Sequence, residues 1–390
     1  MSGFVDGNRI TLLRTGAEYF PALAAAIEAA AAEIYLETYI FEDDETGRRI
    51  AAALARAARR GVATRVLIDG FGSKDINPEL LAAMRAEGVR ILKYRPEISP
   101  WTLKRQRLRR LHRKIAVIDA RIAFVGGINV IDDMHTPNQV PPRFDYAVCV
   151  EGPLLADIYR TVRALWQLVS WTQLHEGGGG RPRRAAVTAP CGTQRAAFVI
   201  RDNLRHRNDI ENAYLAAIGA ARDEIVIACA YFFPGRRFRR ALIEAAARGV
   251  RVVLLLQGRV EYRLLHYASR ALYLHLLDGG IEILEYHRSF LHAKVAVVDN
   301  RWATVGSSNI DPMSLLLARE ANVLIDDTGF ARELRASLGE AIDAGAQPVL
   351  RARWARESHT PPMRLMTWAC YMLVRFLSGW SSYGRGQDFQ

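Results

Sequence analysis

LHRKIAVIDARIAFVGGIN, residues 111–129, returns as LHAKVAVVDNRWATVGSSN, residues 291–309. Histidine, lysine, aspartate, the first glycine and asparagine recur at an offset of 180 residues. Upstream, ARRGVATRVLIDG (58–70) matches AARGVRVVLLLQG (246–258), and EGVRILKY, ending at Tyr94, matches GGIEILEY, ending at Tyr286. Earlier still, EIYLETYIF from Glu33 resembles EIVIACAYF from Glu224. Four blocks in one order make the chain an internal duplication, and self-similarity at a fixed period decides the fold before any single motif is read.

Within each copy, β-rich runs alternate with helical ones. EIYLETYIF precedes RRIAAALARAARRG, then come VATRVLID, PELLAAMRAEG and VRILKY, and KIAVID and IAFVGG form a hairpin-like pair. The pattern predicts α/β architecture: two duplicated α/β/α sandwich domains with mixed sheets, related by a pseudo-two-fold axis, with a site at their interface. The expected division is a first domain over 1–176, a linker over 177–186, a second domain over 187–350 and a tail over 351–390. The glycine run before Arg181 supports that linker. A basic insert, RPEISPWTLKRQRLRR (95–110), stands directly before the first motif and lacks a counterpart in the second copy.

Half of the 390 residues are hydrophobic and 24% are charged, which places the chain among folded globular proteins. The formal net charge of +12 favours polyanionic partners, either nucleic acid or anionic lipid. Cys149, Cys191, Cys229 and Cys370 lie far apart, which argues against a disulfide framework or a cysteine zinc site. The other histidines show no metal-ligand spacing, so no metal and no cofactor are expected. MSGFVDGNRITLLRTG shows no signal-peptide pattern. MRLMTWACYMLVRFLSGW holds ten uncharged, mostly apolar residues between Arg364 and Arg375, too few to span a bilayer. It reads either as an in-plane membrane anchor or as a helix packed on protein.

On a strand, residues i and i+2 share a face, so His112 points with Lys114 and His292 with Lys294. Asp119 and Asp299 fall an odd number of positions from the histidines. Parity sends them the other way, as structural ion-pair partners more than groups touching substrate. Gly126, Gly127 and Asn129, and then Gly306, Ser307, Ser308 and Asn309, let amide donors approach an anion. Two such sets brought together suit a phosphoryl group: one imidazole attacks phosphorus, the other protonates the leaving oxygen, and lysines and asparagines stabilise the charge. Glu37 is a further acid that could reach the site, although Ala228 at its counterpart excludes a symmetric role.

These motifs resemble the phospholipase D superfamily, named for its His-Lys-Asp signature. Up to about Leu350 the chain is similar to the short, B-type bacterial cardiolipin synthases, with FDYAVCVEGP, ACAYFFPG, TVGSSNIDPMSL and EANVLI as supporting stretches. The resemblance implies catalytic roles for His112, Lys114, Asp119, His292, Lys294 and Asp299, with His112 as nucleophile and His292 as acid and then base. It implies phosphate binding by Asn129, Asn309 and Ser307. It also implies a later acid orienting each histidine, at Asp145 in FDYAV and Glu320 in REANV. GGIN stands where GSxN is usual, so Gly127 lacks the hydroxyl that Ser307 offers. The implied activity joins two phosphatidylglycerols into cardiolipin and releases glycerol, on the cytoplasmic side of the inner membrane. Anionic phospholipid and the membrane surface are the expected partners. The alternatives are a lipid hydrolase or nuclease of the same superfamily and a non-catalytic scaffold. The tryptophan and leucines of the insert and the apolar tail favour membrane over nucleic acid.

Overall fold

A computed structural model describes residues 3–95, 109–134, 136, 140–173, 185–202, 205–260, 263–311, 318–352, 354 and 361–382. Most of the basic insert (96–108) and most of the expected linker (177–184) lie outside the described residues. The first half runs β1 (Val5–Arg14), α1 (Thr15–Glu28), β2 (Glu33–Thr38), α2 (Glu45–Arg59), β3 (Ala63–Asp69), α3 (Pro78–Ala86) and β4 (Arg90–Tyr94). It continues with β5 (Arg110–Leu111), β6 (Lys114–Ile118), β7 (Ile122–Gly126), β8 (Arg143–Phe144), β9 (Tyr146–Glu151) and α4 (Leu155–Thr172). The second half repeats the scheme with β10 (Gln194–Arg201), α5 (Asp209–Ala220), β11 (Glu224–Cys229), α6 (Arg236–Ala247), β12 (Arg251–Gln257), α7 (Arg263–Arg270), α8 (Tyr273–Asp278) and β13 (Glu282–Tyr286). After these come β14 (Phe290–Leu291), β15 (Lys294–Val298), β16 (Trp302–Gly306), β17 (Ala318–Asp326), α9 (Thr328–Gly345), β18 (Ala346–Pro348) and α10 (Pro361–Ser382).

The duplication is visible in the strand order. The first half reads β4-β3-β2-β6-β7-β9-β1 and the second β13-β12-β11-β15-β16-β17-β10. Antiparallel pairing of β1 with β10 joins them into one sheet and puts the pseudo-two-fold between those strands. Each half pairs three strands in parallel and the rest antiparallel, which is the mixed α/β sheet that the alternating pattern predicts.

The strands carry long apolar runs because both faces are covered. On the outer face of the first sheet, Leu23 and Ile27 of α1 and Ile50 and Leu54 of α2 pack on Ile34, Leu36 and Val66. Asp44 caps α2 by accepting from the Gly47 amide at 2.7 Å. The inner faces meet in one core shared by the halves, where Val125 and Val148 join Val295, Val305 and Val323 under α4 and α9. The site lies where these inner faces and their crossing strands converge.

Two short ladders cross between the halves. β5, which ends one residue before His112, pairs in parallel with the start of β17. β14, which ends one residue before His292, pairs in parallel with β8. The amide of His112 donates to the Arg319 carbonyl at 3.0 Å and that of His292 to the Phe144 carbonyl at 2.8 Å. Each histidine is therefore fixed in place by backbone of the opposite half.

Beneath the first motif, Arg113 points to the face opposite its neighbours and makes a two-pronged ion pair with Glu37 at 2.5 and 2.9 Å, both side chains fully buried. Glu37 thus anchors the motif strand to β2 and does not enter the site. Losing one partner strands the other charge in a low-dielectric interior. Glu37→Ala and Arg113→Ala should each lose about 3–5 kcal/mol of stability, while the paired change Glu37→Leu with Arg113→Met should recover most of it. Urea unfolding of the four proteins checks this.

Candidate active site

The hairpins β6–β7 and β15–β16 deliver the motifs. Their tips are two-residue turns, closed by the Arg121 amide on the Ile118 carbonyl and the Arg301 amide on the Val298 carbonyl, with positive φ at Asp119 (53°), Ala120 (52°), Asp299 (51°) and Asn300 (50°). Aspartate and asparagine tolerate that left-handed backbone better than most residues. The Asp119 carboxylate accepts the amides of Ala31, Ala32 and Glu33 at 2.8, 2.7 and 2.9 Å. Asp299 does the same for Arg222, Asp223 and Glu224 at 2.9, 2.8 and 2.9 Å. Both motif aspartates therefore sit at the far end of their strands from the histidines. They tie the hairpin tip to main-chain amides. Parity foretold their direction, and the acceptor role follows from a turn whose amides have no other strand partner.

At the other end of the strands the two halves exchange acids. His112 Nδ1 lies 2.9 and 3.1 Å from the two oxygens of Glu320, which belongs to the second half. His292 Nδ1 lies 2.6 Å from Oδ2 of Asp145, which belongs to the first. Both acids are buried, while His112 and His292 keep 17% and 12% of their side-chain surface open. A carboxylate on Nδ1 fixes the tautomer and leaves Nε2 to work on a ligand.

The lysines lie under these pairs. Lys114 Nζ donates to the His112 carbonyl at 2.6 Å, and Lys294 Nζ donates to the His292 carbonyl and sits 2.8 Å from His292 Nδ1 and 3.4 Å from Asp145. Burial, with help from the Lys294 charge and against the pull of Glu320, drives Lys114 down to about 7. Burial also lowers Lys294, against Asp145. His292 is pushed down to about 3, first by burial and then by Lys294 and Lys114, with Asp145 opposing. Burial works against the Asp145 charge too, but Lys294 and His292 outweigh it and hold the carboxyl below its ordinary range. Groups of each half thus act on groups of the other, as one shared site requires.

The expected phosphate-binding residues divide. Asn129 and Asn309 are buried beside the motifs, and their Oδ1 atoms accept from the Ile40 amide at 3.1 Å and from the Cys229 thiol at 4.0 Å. Among the described residues neither side-chain amide nitrogen has an acceptor. Ser307 is different: its hydroxyl donates to Glu320 at 2.5 Å and accepts the Ala321 amide at 3.1 Å. It braces the acid on His112. Gly127 explains the asymmetry between copies. A Cβ there would lie 2.7 Å from Asp145 Cγ and closer still to both carboxylate oxygens. The shorter acid needs glycine behind it, and the longer Glu320 reaches past a serine.

Tyr39 was not singled out by sequence reasoning. Its ring lies 4.9 Å from the His112 ring, with Lys114 Nζ 5.5 Å from its centroid. The signal was present: in the aligned blocks ETYIF and ACAYF, Tyr39 stands opposite Ala230.

Comparison with known proteins finds a match to the family model for the cardiolipin synthase, PLD-like domain over residues 23–159 and 214–341. The chain is 42% identical over 354 residues to cardiolipin synthase B of Escherichia coli K12, covering 88% of this chain and 83% of that protein. It is 31% identical over 319 residues to a cardiolipin synthase of Geobacillus kaustophilus, covering 82% of this chain and 63% of the relative. Among solved structures, phosphatidylserine synthase of Haemophilus influenzae shares the fold with TM-score 0.69 at 14% identity, over 95% of this chain and 94% of that one.

The burial of Lys114 carries a stability penalty with a definite pH dependence. Between about pH 7 and its ordinary pKa of 10.5, the unfolded chain holds a proton that the folded protein releases, so this term makes the fold more stable as pH rises. Below pH 7 both states are protonated and the full penalty stands. Lys114→Met should therefore raise the melting temperature at pH 7 by roughly 2 °C. The gain should shrink towards pH 10 while activity is lost. Melting curves across that pH range check it.

Proposed function

The chain belongs to the cardiolipin synthase, PLD-like domain family, and on that footing we propose that it joins two phosphatidylglycerols into cardiolipin and glycerol through a phosphohistidine. The observation that supports the reading is the reciprocal exchange of acids, which holds each histidine by Nδ1 from the opposite half and leaves both Nε2 atoms without a hydrogen-bond partner among the described residues.

In the first step His112 Nε2 attacks phosphorus, the bond from phosphorus to the glycerol oxygen breaks, and His292 supplies the proton that the departing oxygen needs. In the second step the free hydroxyl of another phosphatidylglycerol gives its proton to His292 and attacks the same phosphorus, and the phosphorus–nitrogen bond breaks. Lys114, Lys294, Asn129 and Asn309 stabilise the charge on the five-coordinate phosphorus. In the free protein His292 is neutral at pH 7. The negative phosphodiester offsets the two lysines that hold its pKa down, so substrate binding is what protonates the acid. Transfer prevails over hydrolysis when the phosphohistidine is shielded from water.

We also propose that the protein attaches peripherally, at the cytoplasmic face of the inner membrane. Among the described residues no helix is long and apolar enough to cross a membrane. One side of α10 is docked, with Val374 buried and the Tyr371 ring 5.5 Å from Phe233. Leu365, Trp368, Met372, Leu373 and Phe376 form an exposed stripe on the same helix. An apolar stripe on a protein of net charge +12 suits an anionic lipid surface.

Labelled phosphatidylglycerol decides the activity. Labelled cardiolipin with release of glycerol is expected from the wild type, and phosphatidic acid as the sole lipid product would replace the synthase reading with a phospholipase. His112→Ala and His292→Ala should each lower the rate at least a thousandfold, with a trapped phosphorylated residue at 112 in the wild type. Flotation with phosphatidylglycerol vesicles tests attachment: Leu365→Ser, Trp368→Ser and Phe376→Ser together should weaken binding roughly tenfold or more.

A further inference from the structure

Asp69, the last residue of β3, has no exposed surface and lies at the same end of the sheet as His112 and Lys114. A buried carboxylate is expensive unless donors surround it, and three main-chain amides do so here. Oδ1 accepts from Phe71 at 2.9 Å and from Gly72 at 3.0 Å, and Oδ2 accepts from Leu111 at 2.7 Å. Burial raises the Asp69 pKa, and these amides and the Arg110 charge work against the rise. One side chain therefore joins the turn after β3 to β5, the strand that ends one residue before His112.

Both pieces bear on His112. Leu111 pairs with Arg319, whose carbonyl receives the His112 amide at 3.0 Å. Against the turn lies Tyr39, whose ring is 4.9 Å from the His112 ring. A Cβ at position 72 would lie 2.7 Å from the tyrosine ring carbons and closer still to its carbonyl oxygen, so glycine there lets turn and tyrosine close up. Ser73 completes the joint: its hydroxyl donates to the Tyr39 carbonyl at 2.9 Å and accepts the Phe41 amide at 3.0 Å.

The Asp69 charge also reaches Lys114. Burial drives that lysine down to about 7 and Lys294 of β15 adds to the push, while Glu320 of β17, Asp145 between β8 and β9, and Asp69 oppose it. The Tyr39 ring lies 5.5 Å from Lys114 Nζ. The second half has a similar joint without the charge. Gln257 stands in place of Asp69, with Nε2 donating to the Leu291 carbonyl at 3.3 Å and Oε1 accepting the Arg259 amide at 3.2 Å. Ala230 and Val260 stand in place of Tyr39 and Gly72.

We propose, resting on the synthase reading above, that Asp69 is a positioning residue for the nucleophile: it fixes the backbone that leads into His112 and balances the Lys114 charge. A lysine held near its titration point at neutral pH needs a fixed anion if its ammonium is to be present when the phosphodiester arrives. The half that takes the phosphoryl group carries that anion, and the half that supplies the acid has an uncharged amide in its place.

Asp69→Asn removes the charge, keeps the size and turns an amide towards the Leu111 donor. It should lower kcat roughly tenfold with little change in KM. Because Asp69 raises the Lys114 midpoint, the same variant should move the basic limb of kcat/KM down by about half a pH unit. Asp69→Glu, which returns the charge, should bring the limb back. The chain has five lysines, so NMR of lysine-labelled protein reads the Lys114 midpoint directly: lower in Asp69→Asn and unmoved in Gln257→Ala. Should Asp69→Asn not fold, Asp69→Gln, the residue that the second half carries, takes its place with the same expectations. A midpoint that stays put overturns the proposal, since loss of position alone would leave it there, and so does a moved midpoint with unchanged kcat. If the wild type makes phosphatidic acid alone, the synthase reading fails, and the Lys114 midpoint still decides the role of Asp69.

Discussion

Two carboxylates crossing between the halves are the constraint on which everything else in this molecule rests. Glu320 reaches His112 and Asp145 reaches His292, each from the half that does not own the histidine. A carboxylate buried without partners is expensive, and an imidazole without a carboxylate is free to rotate and to take either tautomer. Each half therefore completes the other. The β5–β17 and β14–β8 ladders fix the distance of approach, and the β1–β10 pairing and shared apolar core fix the angle.

The site is built against its own stability. Two ammonium groups, two imidazoles and two carboxylates lie within an interior where burial works against every charge, and nearby Lys294 and His292 keep Asp145 ionised against it. Lys114, Lys294 and His292 all have their protons loosened by burial. A phosphodiester relieves that tension, since its charge is what the lysines lack. The surrounding sheet supplies the rigidity that keeps the cations from moving apart, and the fully buried Arg113–Glu37 pair stiffens the strand that carries the first motif.

Much of this was legible in the chain because duplication writes every essential position twice. The α/β class, the two halves and the His-Lys pairs followed from LHRKIAVID and LHAKVAVVD. Strand parity correctly turned Asp119 and Asp299 away from the histidines. It could not reveal their partners, which are main-chain amides of residues 31–33 and 222–224 and carry no side-chain signature. Ser307 has a partner the sequence could not show: its hydroxyl donates to Glu320. That acid lies thirteen residues further on, across a strand pairing that only the fold discloses.

What duplication hides is difference. Reading two copies for agreement finds the machinery common to both and passes over Tyr39 against Ala230, Phe71 against Arg259, and Gly127 with Asp145 against Ser307 with Glu320. Such differences bias which ring takes which role in a two-step displacement. In the proposed reaction one imidazole takes phosphorus and the other a proton, and two identical environments would give the two rings equal claims to both roles. Here one ring lies against a tyrosine, where the equivalent position of the other half carries an alanine. The fold thus supplies two equal histidines, and a handful of residues at the ends of β2, β3, β11 and β12 makes them unequal.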